Sequence, residues 1–555
     1  MSLSHITDHL SSSNSLRDLV NTVQSGQRVV AADLPESARP AVLGAALRAI
    51  DRPALVVTSR QDRAEQLCSS LSAYLRADHP AHLWSAPDAL PYEMLPVDRS
   101  ASVRRTRELD AMSRAATDQG IWVTPVNGLM QRIVSPQELE SHTRSIRVGH
   151  RISVDDLTSL ALRVGYQPGP MVQEQGVIAR RGGILDIFPP GEDFPVRLDF
   201  FGDDVESIRR FDPHTQRSID RLDAIRLLPP FELPVWHLPE IAPRLAELDL
   251  GPLRDEVRED WERRIQQTTS GTIPDAHDLL SGFLDSAVSS VLDHLPANTV
   301  IIVDQPDAVR LAATQYGQQA VELERTFLEA GELPAGIPLP YIPAERALAA
   351  VAERTGIAVG SGDASRGAVV SFADVGDAPV FLGNMASMID ELRERLSGGW
   401  RISIATDQVE RLTDILEERG VYPRKDKRKR ADVAAPLPAG TVEVRPSDLT
   451  GGWGWTTGRL AVWTDLELFG FRKQVRRSGQ RTTLESRSFA QGLRPGEHVV
   501  HVDHGIARFS GLVRMEMQGI EREYLLLEYE RGDKLYVPVD QSDRVTRYSG
   551  GGINP

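Results

Sequence analysis

The stretch from Val177 to Phe211, VIARRGGILDIFPPGEDFPVRLDFFGDDVESIRRF, constrains the fold more than any other part of the sequence. Its apolar runs, Ile184 to Phe188, Val196 to Phe201 and Val205 to Ile208, have strand length. Pro189-Pro190-Gly191 and Gly202-Asp203-Asp204 between them are turn compositions. The pattern predicts an antiparallel meander. A period of two sends Val196, Leu198 and Phe200 to one face and Arg197, Asp199 and Phe201 to the other. An aromatic beside an arginine on a half-polar face is the composition of a protein-binding hot spot. The same residues also suit a strand in which Phe201 closes the core edge and Arg197 is simply solvated.

The meander interrupts a different rhythm. Val29 to Ala32 and Leu55 to Thr58 read as buried strands, each followed by a helical pattern, and Ile121 to Thr124 adds another strand. After a polar helical tract, Ala242 to Gln267, the apolar run Asn298 to Asp304 resumes the pattern of a parallel sheet covered by helices. A phosphate-binding sheet of this kind carries GxxxxGK[ST] after its first strand, because loop amides and a lysine must reach the phosphates. Here the loop is Asp33-Leu34-Pro35-Glu36-Ser37-Ala38-Arg39-Pro40, with neither glycine nor lysine. No nucleotide is expected there. Asp304, ending its strand, has the outline of a magnesium-binding aspartate and equally that of any strand-end loop residue.

A chain of 555 residues is too long for one core and implies three or four domains. The segments are 1–136 and 231–370, two halves of one α/β domain; 137–230, the inserted meander; 371–470, a second small α/β unit; 471–492, a linker; and 493–555, a small β-barrel. In the second α/β unit, Pro379 to Leu382, Trp400 to Ala405 and Leu460 to Trp463 read as strands, and Met385 to Leu396 and Gln408 to Arg419 as helices. The barrel rests on short strands, Val499 to Val502, Ile506 to Phe509, Leu512 to Met517, Tyr524 to Tyr529 and Lys534 to Pro538, punctuated by glycines.

A net charge of -15 excludes a surface that binds nucleic acid over most of its area. The one dense basic run, Arg424 to Arg430, has no interleaved aromatic and suits a solvated loop or a local backbone contact. A single cysteine, Cys68, excludes a disulfide framework and a CxxC metal site. His501, Asp503 and His504 lack further ligands and fit a turn better than a metal site. The first residues show no charged segment followed by an apolar one, and no apolar run approaches the roughly 20 residues a bilayer span needs. A cytoplasmic compartment is expected.

Two segments together carry a family resemblance. RRGGILDIFPP, PVRLDFFGDDVESIRRFD and the following LLPP resemble the domain shared by the excision-repair protein UvrB and the bacterial transcription-repair coupling factors. Leu493 to Gly551, with LRPGEHVVHVDHGIARFSGL, EYLLLEYERGDKLYVPV and RYSGG, resembles the RNA-polymerase-interacting domain of the coupling factors, itself similar to the CarD family. The order of the two fits only the coupling factors. LPYEMLP (Leu90 to Pro96), VTPVNGLMQRI (Val123 to Ile133) and TDLELFG (Thr464 to Gly470) extend the resemblance to nearly the whole chain.

The resemblance implies a multidomain α/β fold: a degenerate P-loop-type, UvrB-like head with an antiparallel insertion, a second small α/β domain, and a CarD- or Tudor-like barrel. It implies a UvrA-binding surface at Arg181, Arg197 and Phe201, with Asp204 in the same patch, and contact with the RNA polymerase β subunit through Met515, with Leu512 on the same strand and Arg514 at the rim. The family masks its UvrA surface until polymerase engagement and motor activity release it. No GxxxxGK occurs in the chain, so the chain itself is expected to be a non-enzymatic adaptor without cofactor or metal. The family's double-stranded-DNA translocase, with its ATP, magnesium and DNA contacts, would follow the barrel, and a truncated form is the expectation. The alternatives are a UvrB-type repair helicase and a CarD-like transcription regulator.

Overall fold

The computed structural model describes residues 3–547 with the exception of 77–78, 88, 96, 116–119, 275, 286, 361–366, 425–436, 471–492, 494–495, 502–504, 518–519, 530–533 and 539–544. The proposed linker and nearly all of the basic run lie outside the described residues. The chain forms two compact units, Met1–Lys473 and Gln474–Pro555.

After two helices, Ser4–Leu10 and Asn14–Gln24, the first unit runs through strands β1 (Val29–Ala32), β2 (Ala54–Thr58), β3 (Ala81–Leu83) and β4 (Ile121–Pro125), followed by the short β5 (Ile133–Val134). The chain then enters the insertion through β6 (Arg144–Arg147). A six-stranded sheet follows: β7 (Gln167–Pro168), β8 (Val177–Arg181), β9 (Ile184–Ile187), β10 (Val196–Phe201), β11 (Asp204–Phe211) and β12 (Ser218–Leu222). The chain leaves through β13 (Ala224–Leu227), which pairs antiparallel with β6 and so closes the neck of the insertion. Next come β14 (Val288–Ser289), β15 (Val300–Asp304), β16 (Thr355–Val359) and β17 (Ala368–Ser371). The major sheet has the order β17-β1-β16-β15-β2-β4-β3 and every pair in it is parallel. Strands β2 and β15 are buried at every position, which is why their sequences are unbroken apolar runs.

The inserted sheet has the order β12-β11-β10-β9-β8-β7, antiparallel except at the β7–β8 pair. One face packs on the helix Val154–Arg163, whose N-cap Ser153 accepts the backbone N–H of Asp156. The polar tract expected as one helix from Ala242 to Gln267 is two, Leu238–Ala246 and Asp255–Thr269, broken around Gly251-Pro252.

The second α/β sheet contains β18 (Val375–Asp377), β19 (Arg401–Ala405), β20 (Thr441–Arg445), β21 (Trp453–Trp455) and β22 (Leu460–Thr464), in the order β18-β21-β22-β19-β20. Two sequence expectations are corrected here. Strand β22 is central rather than closing, and Pro379–Leu382 is a loop, with Leu382 at φ +50. The loop is apolar because Phe381 is buried against Trp463, ring centroids 5.1 Å apart. The TDLELFG stretch is a capping device: Thr464 and Glu467 form a capping box, and Gly470 ends the short helix in the left-handed region.

The two α/β sheets share one core. Trp453, Trp455, Leu460 and Val462 pack in the same cluster as Leu3, Ile6, Leu43 and Leu71. The helix Ser4–Leu10 ties them further, since His5 Nε2 lies 2.7 Å from Glu443 Oε1 on β20, both side chains buried. Among the described residues no helix is long and apolar enough to cross a membrane.

The second unit is an antiparallel sheet of β23 (His498–His501), β24 (Gly505–Met517), β25 (Ile520–Glu528), β26 (Lys534–Pro538) and β27 (Val545–Arg547), in the order β26-β25-β24-β23-β27. The two strands expected on either side of Gly511 are one, with a register shift between Phe509 and Gly511, the glycine at φ +141. Among the described residues no pairing joins β26 to β27, so the expected barrel is observed as a five-stranded sheet. Its core is Val499, Ala507, Phe509, Leu525, Leu527, Val537 and Val545.

Candidate functional site

The predicted patch sits at one end of the inserted sheet, where two tight turns lie side by side. Gly182-Gly183 joins β8 to β9 and Gly202-Asp203 joins β10 to β11, with Gly182 and Gly202 both at φ +62. The turns are stitched together by the Phe200 N–H, which donates to the Gly183 carbonyl at 2.9 Å. Cross-strand partners share a face of a sheet. Arg181 stands opposite Ile184, Ile184 opposite Asp199, and Phe201 opposite Asp204. Arg181, Ile184, Asp199, Phe201 and Asp204 therefore lie on one face, and Arg197 on the same face one row further back. The other face carries the core of Ile178, Leu185, Ile187, Val196, Leu198, Val205 and Ile208.

On this face Phe201 is 77% exposed, and Arg181 and Asp204 are also exposed. The Phe200-Phe201 pair divides its labour by parity: Phe200 packs against the core and Phe201 stands in solvent. Arg181 donates one bond, from Nη2 to the Pro170 carbonyl at 3.2 Å, out of the five its guanidinium offers.

Arg197 is placed differently. Its guanidinium makes a two-pronged pair with Asp186, Nε to Oδ1 at 2.7 Å and Nη2 to Oδ2 at 2.8 Å, and lies over the Phe211 ring 4.6 Å from its centroid. The Asp186 hydrogen bonds hold the guanidinium above its ordinary pKa. Its side chain is 19% exposed and that of Asp186 3%. The structure thus gathers Arg181, Phe201 and Asp204 at the turns and commits Arg197 to Asp186 and Phe211. Those two partners escaped the sequence reading; the aspartate standing among apolar residues in Ile184-Leu185-Asp186-Ile187 was the available signal.

In the second unit, Leu512 is 42% exposed. Arg514 and Met515 lie in β24 opposite Glu523 and Arg522; their side chains are outside the described residues, as are Asp503 and His504. Among the described residues no group of three His, Cys, Asp or Glu is placed to hold a metal.

At the carboxyl ends of the major sheet, where an open parallel sheet ordinarily holds its ligand, Asp304 is buried between two arginines. Arg39 Nη1 donates to its Oδ1 at 2.7 Å and Arg63 Nε to its Oδ2 at 2.9 Å. Arg63 reaches on to Glu36 in the loop that lacks glycine and lysine. Asp33, at φ +55, accepts the Ser371 hydroxyl at 2.6 Å. Loop and strand ends are closed upon each other by ion pairs.

Residues 145–232 match the UvrB interaction domain and residues 493–549 the CarD-like/TRCF RID domain. Nearly the whole chain is similar to the first half of proteins named transcription-repair-coupling factor. Factors of that name from Myxococcus xanthus and Bacillus subtilis (strain 168) are 30% and 26% identical over 96% and 99% of this chain, and over 46% and 47% of their own length. The Escherichia coli (strain K12) factor is 29% identical over 84% of this chain and 40% of its own. The chain spans about half the length of the coupling factors it matches.

Proposed function

We propose that the chain is the adaptor portion of a transcription-repair coupling factor, acting in the cytoplasm to start transcription-coupled nucleotide excision repair. Its second unit docks on the β subunit of a stalled RNA polymerase through the Leu512 to Met515 segment. The turns of the inserted sheet recruit UvrA through Arg181, Phe201 and Asp204, with Arg197 behind them. The observation that carries this is Phe201, 77% exposed on the same sheet face as Arg181 within a UvrB interaction domain. An exposed aromatic at a strand end, on one face with an arginine and a carboxylate, is a side-chain combination enriched at protein interfaces. ATP-driven translocation, with its magnesium and its DNA contacts, belongs to the other part of such a factor.

The competing helicase reading needs a nucleotide at the loop after β1, where Arg39, Arg63 and Asp304 pair with one another. A CarD-like regulator would need only the second unit. UvrA pull-down with the 555-residue chain separates these: binding is expected, and loss of binding in the double variant Arg181→Ala, Phe201→Ala supports the adaptor. Absence of binding, or binding indifferent to that variant, refutes it.

A further inference from the structure

The apolar part of the candidate surface extends beyond Phe201. Ile184 is 36% exposed although it sits in a strand, β9, whose other three residues are buried. Its direct neighbours on the face are Arg181 on β8 and Asp199 on β10. Directly opposed residues stand about 5 Å apart and diagonal ones about 7–8 Å, so Ile184 bridges the space between Arg181 and Phe201, which lies two residues beyond Asp199 on the same strand. The polar group beside it is already satisfied: Asp199 accepts from Ser207 and, at 2.6 Å, from Arg209. The strip therefore reads Arg181, Ile184, Phe201, Asp204, with a cation at one end, a carboxylate at the other and apolar surface between.

We infer that Ile184 is a direct contact residue for UvrA, forming with Phe201 the apolar centre of the interface. The inference rests on the adaptor reading above. The complementary surface on UvrA then presents an apolar side chain to the Ile184–Phe201 step, flanked by a carboxylate that meets Arg181. Arg197, its guanidinium already taken by Asp186 and Phe211, is not the residue that fills this central position. Interface energy concentrates in a desolvated centre, and Ile184 lies nearer to that centre than Arg197 does.

The test is titration of purified UvrA against the full chain and four variants, with thermal melting of each. Ile184→Asp sets a charge in the apolar centre and is expected to weaken binding at least about tenfold, and Ile184→Ala about threefold, with melting unchanged. Phe201→Ala is expected to weaken binding as well. Tyr422→Ser, which removes a 77% exposed aromatic in the second α/β sheet's domain, is expected to leave it intact. If Phe201→Ala weakens binding while both Ile184 variants bind as the parent does, the Ile184 inference is wrong and the adaptor reading stands. If neither Phe201→Ala nor the Ile184 variants have an effect, the adaptor reading fails with it. Should Ile184→Asp lower the melting temperature, the alanine variant decides.

Discussion

The carboxylate of Asp304 is held 2.7 Å from the guanidinium of Arg39, at the end of a strand where related sheets bind phosphate. Both groups are buried, and Arg63 takes the second oxygen. Breaking such a pair strands a charge in the interior. Asp304→Ala is expected to destabilise the first unit by roughly 3–5 kcal/mol in urea denaturation. Calorimetric titration of the parent chain with ATP and magnesium is expected to show no saturable binding; a saturable isotherm would restore the helicase reading.

Arg197 and Phe201 lie on one face of one strand and predict opposite phenotypes. Arg197→Ala leaves the Asp186 carboxylate, 3% exposed, without its cation, at a cost of roughly 2–4 kcal/mol in folding stability. Phe201→Ala removes an exposed side chain and should change stability by no more than about 0.5 kcal/mol. Chemical denaturation of the two variants, run before any binding assay, checks this. A stable Arg197→Ala protein would mean that the Asp186 pair contributes little.

Acid should destabilise the first unit through two titrations. Burial pushes His294 down to about 4; its Nε2–H donates to the Val134 carbonyl at 2.8 Å and Nδ1 accepts from Ser113. The unfolded chain takes up that proton at its ordinary value of 6.5, so stability is complete above that pH and is lost as pH falls from 6.5 to about 4. The loss is on the order of 3 kcal/mol. For Glu443, burial alone would raise the carboxyl, but the hydrogen bond and charge of His5, with Arg445, outweigh it and bring it down to about 2. Its contribution is present above 4.5 and lost between there and about 2. Urea midpoints between pH 7.5 and 4.5 should fall less for His294→Gln than for the parent.

Removing residues 474–555 tests the independence of the two units. The remaining chain is expected to keep its melting transition and its UvrA binding while losing polymerase binding. Met515→Arg in the full chain should weaken polymerase binding alone, measured against purified β subunit.

The sequence made legible what depends on short-range chemistry. Strands β2 and β15 announce themselves because both faces are buried. Arg181 opposite Ile184 was within reach, since a two-residue Gly-Gly loop fixes the register. Asp186 opposite Arg197 was not, because the loop from Phe188 to Pro195 is too long to set which residues face each other. Arg39 and Arg63 reach Asp304 across separations of 265 and 241 residues, which no local pattern encodes. Phe381 made a loop look like a strand because burial of a single aromatic and strand formation leave the same apolar run.

The His5–Glu443 pair spans 438 residues of chain, and it sets a clock on synthesis. At about 5–20 residues per second, the helix carrying His5 emerges roughly 20–90 s before the strand that receives it. During that interval the apolar side of the first helix, with Leu3, Ile6 and Leu10, has only part of its final cluster available. The front end of the first unit therefore cannot complete its packing until the chain through β22 has been made.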